Sequence, residues 1–373
     1  MSGPLLDSLE IVGFRGFRHL RVERLGRVNL IVGRNNVGKT SLLEAVWLYA
    51  SGGAPSAIWD ILEVRDEAGR PLRQNGLGFS RRERIRDPAL ALRHLLNGRP
   101  DLRKKIASVR IGPLGDSDQT LTLTPGWSVY EPVGERVHFR SISVVDVNIA
   151  EDAVLTVKTQ LGDRPLAEFP LTADSFSFPS QAGGFRFVFI PSNGLTFREF
   201  AEFWDAIALT DLEADVVSAL KIIESDIERI NLLSDPGREN ETERVPKVKL
   251  KGMDEPLLLR SLGDGMNRLF GIALALANAK SGILLIDEVE NGLHYSVQGD
   301  IWLLIFQTAA RLDVQVFATT HSWDCISAFQ SASTQSEEDG MLVRLEEKNG
   351  EVTPTLFDRR RLEIATKEDI EIR

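Results

Sequence analysis

The run Gly33-Arg34-Asn35-Asn36-Val37-Gly38-Lys39-Thr40 sits between an apolar strand pattern at 28–32 and a helix-like run at 41–49. Glycines at its ends let the backbone wrap closely around an anion, successive amide N–H groups converge on it, and the helix that follows adds the positive end of its dipole. Strand, phosphate loop and helix in that order restrict the chain to an α/β P-loop architecture and predict a bound nucleoside triphosphate. Lys39 is expected to reach the β- and γ-phosphates, and Thr40 to hold Mg²⁺.

At 373 residues with 43% hydrophobic content, the chain has the length for two or three structural units and ample core. No stretch approaches the roughly 20 apolar residues of a membrane span, and residues 1–9 lack a basic-then-apolar leader pattern, so a cytoplasmic protein with no membrane contact is expected. The single cysteine, Cys325, excludes an internal disulfide and a cysteine-based zinc site; it reads as a small packed residue.

Net charge is −10, unevenly placed. The interval that opens at Arg73 and closes at Arg110 holds eleven Arg or Lys against Glu83, Asp87 and Asp101, which leaves a balance of −18 for the rest of the chain. A second run, Arg15, Arg18, Arg21, Arg24 and Arg27, is opposed only by Glu23. Positive surface beside a nucleotide site suits contact with a phosphate backbone such as DNA. The alternative is arginines that are solvated or paired with acidic surface elsewhere.

Along the chain, residues 9–25 predict a β-hairpin turning at Gly16, with Leu20, Val22 and Leu25 alternating on its second strand. Residues 52–110 are mixed and basic, with a helix expected at 88–96. Alternating runs from 107 to 190, broken by Gly, Pro, Asn and Asp, predict a β-rich lobe. Residues 197–233 are expected to be helical, because Leu212, Val216, Leu220, Ile223, Ile227 and Ile230 recur at three- and four-residue steps. An exposed loop follows at 234–244, and α/β pattern resumes at 245. The expected division is therefore 1–50, hairpin and phosphate loop; 51–196, basic stretch and β-rich lobe inserted in the head; 197–244, short helical arm and loop; and 245–373, the second part of the nucleotide-binding core.

Within that last segment, Gly282-Ile283-Leu284-Leu285-Ile286-Asp287-Glu288 reads as a buried parallel strand ending in two acids, the edge at which ligands bind in such sheets. Asp287 is placed to support Mg²⁺, and Glu288 to orient or deprotonate an attacking water. One further strand away, Phe317-Ala318-Thr319-Thr320-His321-Ser322 puts a histidine after an apolar run, within expected reach of a γ-phosphate.

These residues resemble the ABC-type ATPase heads of the SMC, RecF and OLD proteins. The loop at 33–40, the opening Phe14-Arg15-Gly16-Phe17, the turn Ser261-Leu262-Gly263-Asp264-Gly265, the acidic strand and Thr320-His321-Ser322 carry the likeness. The OLD-like branch is nearest, through the paired asparagines of the loop and Asp287-Glu288-Val289-Glu290-Asn291-Gly292-Leu293-His294. The resemblance implies an α/β P-loop fold of ABC/SMC-head type with a β-rich lobe and a short helical insertion. It implies ATP and Mg²⁺ as cofactors, with Lys39, Glu288 and His321 in catalysis and Thr40 and Asp287 on the metal. Nucleotide contacts are implied from Gly33, Arg34, Asn35, Asn36, Val37, Gly38, Lys39, Thr40 and Ser41. Ser261, Gly263 and Gly265 would act from a signature turn that meets the ATP of an opposite protomer, giving a head-to-head homodimer or higher oligomer. The turn lacks the usual Ser-Gly-Gly core, and no glutamine stands out for the Mg²⁺-sensing loop.

The 197–233 segment is too short for the coiled-coil arms of SMC proteins. OLD nucleases continue past the histidine into a Toprim domain, whereas here 341–373 holds only a strand pair about Asn349-Gly350 and an acidic tail. The resemblance thus implies an ATPase switch controlling a separate effector, a Toprim or other nuclease, in a DNA-associated or anti-phage system. The alternative is a RecF-like repair ATPase that binds DNA directly without a nuclease partner. A transporter subunit fits poorly with the long β-rich interval, and a small-molecule kinase would need neither the signature turn nor the histidine strand.

Overall fold

The structure, a computed structural model, describes residues 3–68, 87–133, 136–146, 152–171, 184–234 and 244–368. The elements run β1 (Leu9–Phe14), β2 (Phe17–Val22), β3 (Val28–Gly33), α1 (Lys39–Ala50), α2 (Pro55–Val64), α3 (Pro88–Leu92), β4 (Val109–Gly112), β5 (Leu121–Val133) and β6 (Arg136–Ile142). Next come β7 (Ala153–Leu161), β8 (Arg164–Pro170), β9 (Phe187–Ile190), α4 (Phe197–Asp205), α5 (Asp211–Leu220), β10 (Ile227–Ser234), β11 (Arg244–Leu250) and β12 (Leu257–Leu258). The chain continues through α6 (Asp264–Asn278), β13 (Ile283–Ile286), α7 (Tyr295–Leu312), β14 (Gln315–Thr319), α8 (Trp323–Gln335), β15 (Gly340–Lys348), β16 (Glu351–Phe357) and α9 (Arg359–Lys367).

The central sheet has the order β16-β15-β3-β14-β13-β9, parallel throughout except for β16. Both of its faces are covered, and its strands read accordingly as unbroken apolar sequence. Ile31, Ile283, Leu285, Phe317 and Met341 point into one core, shared with α1, α2 and a second sheet. Their neighbours Leu30, Leu284, Ile286, Val316 and Leu342 point into the other, against α6, α7 and α8. This period-two division between two cores fixes the register of every central strand, since a one-residue slip would exchange the faces. The result is an α/β P-loop fold.

The second sheet, β2-β1-β4-β5-β7-β8 with β6 on β5, is the expected β-rich lobe, but it is not confined to the middle of the chain. The hairpin β1–β2 belongs to it through Glu10↔Gly112 and Val12↔Arg110, while β9 leaves it for the central sheet beside β13. Sheet pairing therefore crosses the boundaries drawn at 50 and 196. Local periodicity finds strands; it carries no information about partners a hundred residues away.

The helical reading of 197–233 needs correction. Its first part forms α4 and α5, but 227–234 is β10, paired antiparallel with β11. Ile227, Ile230 and Leu232 face the core while the residues between them are exposed. An irregularity in the ladder between Ile227 and Arg229 brings two residues three apart onto one face. That bulge imitated a helical step. In the 52–110 interval, α2 was hidden among mixed residues; Pro55 at its first turn starts it and Ile58, Ile61 and Leu62 bury it.

The run of arginines before the phosphate loop divides into two that are buried in ion pairs and three that stay exposed beside a carboxylate. Arg15 is buried against Glu44 and Glu67, and Arg27 is buried with Asp313 at 2.9 Å and Glu338 at 2.7 Å. Arg18, Arg21 and Arg24 lie beside Glu351, Glu10 and Asp339. Of the basic interval 73–110, Arg73, Arg81, Arg82, Arg84 and Arg86 lie outside the described residues. Arg103 and Lys104 have Asp87 and Asp101 as partners. Cys325 is buried, and that burial pushes its thiol up to about 12, so it is a packing residue as expected. No helix among the described residues is long and apolar enough to cross a membrane.

Candidate functional site

Three adjacent parallel strands, β3, β14 and β13, end at one edge of the central sheet, and each delivers one part of the site. The histidine strand was expected beyond the acidic strand; it lies between that strand and the phosphate loop. β3 runs into the loop, whose glycines are dictated by close approach. Gly33 has φ +143°, and a Cβ there would stand 2.5 Å from the carbonyl oxygen of Leu345. Gly38 has φ +107°, and a Cβ there would meet the Phe17 ring at 2.9 Å. The Phe14–Phe17 hairpin end thus serves as the wall against which the loop turns into α1.

Lys39 folds back over the loop. Its Nζ donates to the carbonyls of Gly33 at 2.7 Å and Arg34 at 2.9 Å. Burial lowers its pKa to about 8 against the attraction of Asp287, Glu288 and Glu290. A triphosphate favours the charged ammonium. Nucleotide affinity is therefore expected to be flat below about pH 7 and to fall by close to tenfold per unit above about pH 8, as a proton must be taken up on binding. Equilibrium titration with a fluorescent nucleotide from about pH 7 to 10 reads this; a flat profile would remove Lys39 from the phosphate contact.

At the end of β13, Asp287 faces Thr40, whose Oγ1 lies 3.2 and 3.3 Å from the two carboxylate oxygens. One hydroxyl and one carboxylate form the sparse oxygen set on which Mg²⁺ relies when phosphates and water complete its shell. No group of three or more acidic, histidine or cysteine side chains able to hold a metal occurs among the described residues. Glu288 follows with φ +48°, a left-handed conformation uncommon for a non-glycine residue. Its carboxylate lies 3.5 Å from His321 Nε2 and accepts from Asn291 Nδ2 at 2.7 Å.

Residues without an assigned role in the sequence hold this corner together. Thr319 Oγ1 accepts from the Glu288 amide at 2.8 Å and donates to Asp287 Oδ1 at 2.7 Å, so the end of β14 fixes both acids. Glu290 accepts from the His321 amide at 2.8 Å. Arg268, inside α6, donates to the carbonyls of Asp287 and Glu288. A lone arginine within the apolar run 266–277 was the available signal.

Asn35, Asn36, Val37, Gly38, Lys39, Thr40, Ser41, Glu288 and His321 line one cleft of about 980 Å³, together with Arg15, Arg65, Arg99 and the tip of the β15–β16 hairpin. Ser261, Gly263 and Gly265 are not among the described residues that line it. Gly263 caps α6 at φ +107°, and Gly265 packs under the Gly292 carbonyl, where a Cβ would stand at 2.8 Å. The structure unites the phosphate loop, the acids and the histidine, and leaves the turn on the neighbouring surface.

A family profile described as "AAA domain, putative AbiEii toxin, Type IV TA system" matches residues 173–324, and a second AAA-domain profile matches 8–58. The chain is 24% identical over 354 residues to an ATP/GTP phosphatase of Helicobacter pylori, covering 86% of each. It is 43% identical over 47 residues to the DNA replication and repair protein RecF of Clostridioides difficile, a match spanning 13% of either chain. Among solved structures, an SMC head bound to the C-winged-helix domain of ScpA aligns with 13% identity, 95% of this chain, 98% of that one and a TM-score of 0.48. The SMC head domain of Thermotoga maritima aligns with 13% identity, 94% and 98% coverage and a TM-score of 0.43.

Proposed function

We propose, from the premise that this chain is a P-loop ATPase of the ABC/SMC/RecF type, that it hydrolyses ATP with Mg²⁺ and works as a switch in which two copies close head to head around the nucleotide. Closure controls a separate effector, a nuclease, in a DNA-associated or anti-phage system. The observation that carries the reading is the division of the site. Lys39, Thr40, Glu288 and His321 converge on one cleft with Asp287 behind Thr40, while the Ser261-to-Gly265 turn, a second set of backbone donors at a helix N-terminus, does not line it.

Each residue has a task in this reading. Lys39 exchanges the loop carbonyls for β- and γ-phosphate oxygens, and amides of the loop hold the rest of the chain of phosphates. Mg²⁺ held by Thr40 and Asp287 would neutralise phosphate charge. Glu288 orients the attacking water and takes its proton, and His321, 3.5 Å away, keeps that carboxylate turned toward the γ-phosphate. A second copy's turn completes the donor set around the γ-phosphate.

Sedimentation velocity tests the closure. With Mg²⁺ and a non-hydrolysable ATP analogue the protein is expected to shift to a dimer or its multiple, and with ADP to return. No hydrolysis and no nucleotide-dependent change of assembly would count decisively against the proposal. The RecF-like alternative, favoured by the short RecF match, is separated by salt-dependent binding of duplex or gapped DNA in the absence of any co-purifying protein.

A further inference from the structure

We propose that Arg268 is a positioning residue that braces the backbone of Glu288 and ties the catalytic carboxylate to the turn that opens α6. The inference rests on the ATPase reading above and assigns that site a control point.

The guanidinium spans three structural elements. Its Nη1 donates to the Pro191 carbonyl, just beyond β9, at 2.9 Å. Its Nη2 donates to the Asp287 carbonyl at 2.7 Å and the Glu288 carbonyl at 2.8 Å, both at the end of β13. The residue is 6% exposed, and Nε has no hydrogen-bond partner among the described residues. A buried cation with one donor unmet is a costly choice for a position in an apolar helix. Packing alone would be served better by leucine. The three acids that attract this charge are Glu290, Asp287 and Glu288, which belong to the catalytic loop.

Glu288 needs such a brace. Its left-handed backbone, at φ +48°, is stable only where the surroundings over-determine it. Thr319 holds its amide, Arg268 its carbonyl and Asn291 its carboxylate. Of these three, only Arg268 comes from the helix whose first turn carries Gly263 and Gly265. It lies one helical turn after Asp264, and Gly265 touches the Gly292 carbonyl four residues beyond Glu288. A load applied to the turn therefore reaches Glu288 by two routes, a guanidinium fork and a glycine contact. Lysine keeps the charge but presents no planar fork, so it cannot reproduce the three bonds together.

The test compares wild type, Arg268→Lys and Arg268→Ala by amide hydrogen exchange without nucleotide, and by steady-state ATP hydrolysis. In Arg268→Lys, exchange across 287–293 is expected to rise about tenfold or more while the phosphate loop at 33–41 keeps its protection. kcat is expected to fall at least about tenfold with KM within about twofold, because misplacing Glu288 leaves nucleotide binding intact. Arg268→Ala should be worse than Arg268→Lys in both respects. Unchanged exchange across 287–293 in Arg268→Lys overturns the proposal, as does loss of protection spread evenly over the protein, the mark of a merely structural residue. Increased exchange at 287–293 in a protein whose wild type hydrolyses no ATP would sustain the brace and defeat the ATPase reading.

Discussion

Glu288→Gln is expected to lower kcat for ATP hydrolysis by about 10²–10³-fold while leaving nucleotide affinity within a factor of about three. The substitution is isosteric. It keeps an acceptor for the Asn291 amide and disturbs neither Lys39 over the loop carbonyls nor Thr40 beside Asp287. What disappears is a negative group able to accept the water proton and attract His321. Single-turnover hydrolysis and equilibrium nucleotide binding on the same preparation separate the two effects. If affinity falls as much as the rate, Glu288 serves to hold the nucleotide. If the rate is unchanged, the general base is another group, and Glu290→Gln becomes the variant to compare. Under the switch reading, ATP should also trap Glu288→Gln in the closed assembly, since closure needs binding and release needs hydrolysis.

The legible part of this site is the part written in contiguous residues. The phosphate loop, the acidic strand end and the histidine strand end each combine a local apolar run with a short polar motif, and each motif names its own chemistry. Their convergence also follows, because parallel strands in one sheet end at one edge. The order of strands does not follow from any of them; β14 lies between β3 and β13 by pairing alone. Of the residues that fix the acids, Thr319 was silent for the same reason, and Arg268 showed only as a charge in an apolar run. A threonine at a strand end and an arginine in a helix have many ordinary roles, and only the fold reveals that both reach the backbone or side chain of 287–288. The β10 bulge and the hairpin shared between sheets are further cases in which non-local pairing overrode local pattern. Charge was the least legible property: five arginines in thirteen residues suggested a free basic surface, and each stands beside a carboxylate, four of them from distant segments.

Glu44 is the buried carboxylate that holds Arg15, the first arginine of that run. It lies on α1 with its side chain 2% exposed, next to the buried guanidinium of Arg15, and accepts from Arg65 Nε at 2.6 Å. Glu44→Ala leaves Arg15 with Glu67 alone and opens a void beneath the phosphate-loop helix, so a loss of about 3–5 kcal/mol is expected. That corresponds to a drop in melting temperature of about 4–6 °C for a unit of this length. Glu44→Gln should cost far less. Burial raises the Glu44 pKa above 4.5 despite the two arginines, so the folded protein holds a proton there more tightly than the unfolded chain does. Stability contributed by this group is full below the unfolded value and declines as pH rises from about 4.5 through the folded one. The glutamine variant, neutral at every pH, should lack that slope. Thermal melts of wild type, Glu44→Gln and Glu44→Ala between about pH 4 and 8 separate the contributions. If Gln destabilises as much as Ala, the ionic attraction itself carries the pairing; if Gln stays near wild type, hydrogen bonds and filled volume carry it. Arg15 and Arg65 also line the nucleotide cleft, so Glu44→Ala should raise KM for ATP in whatever fraction remains folded, linking the packing of α1 to the shape of the site above it.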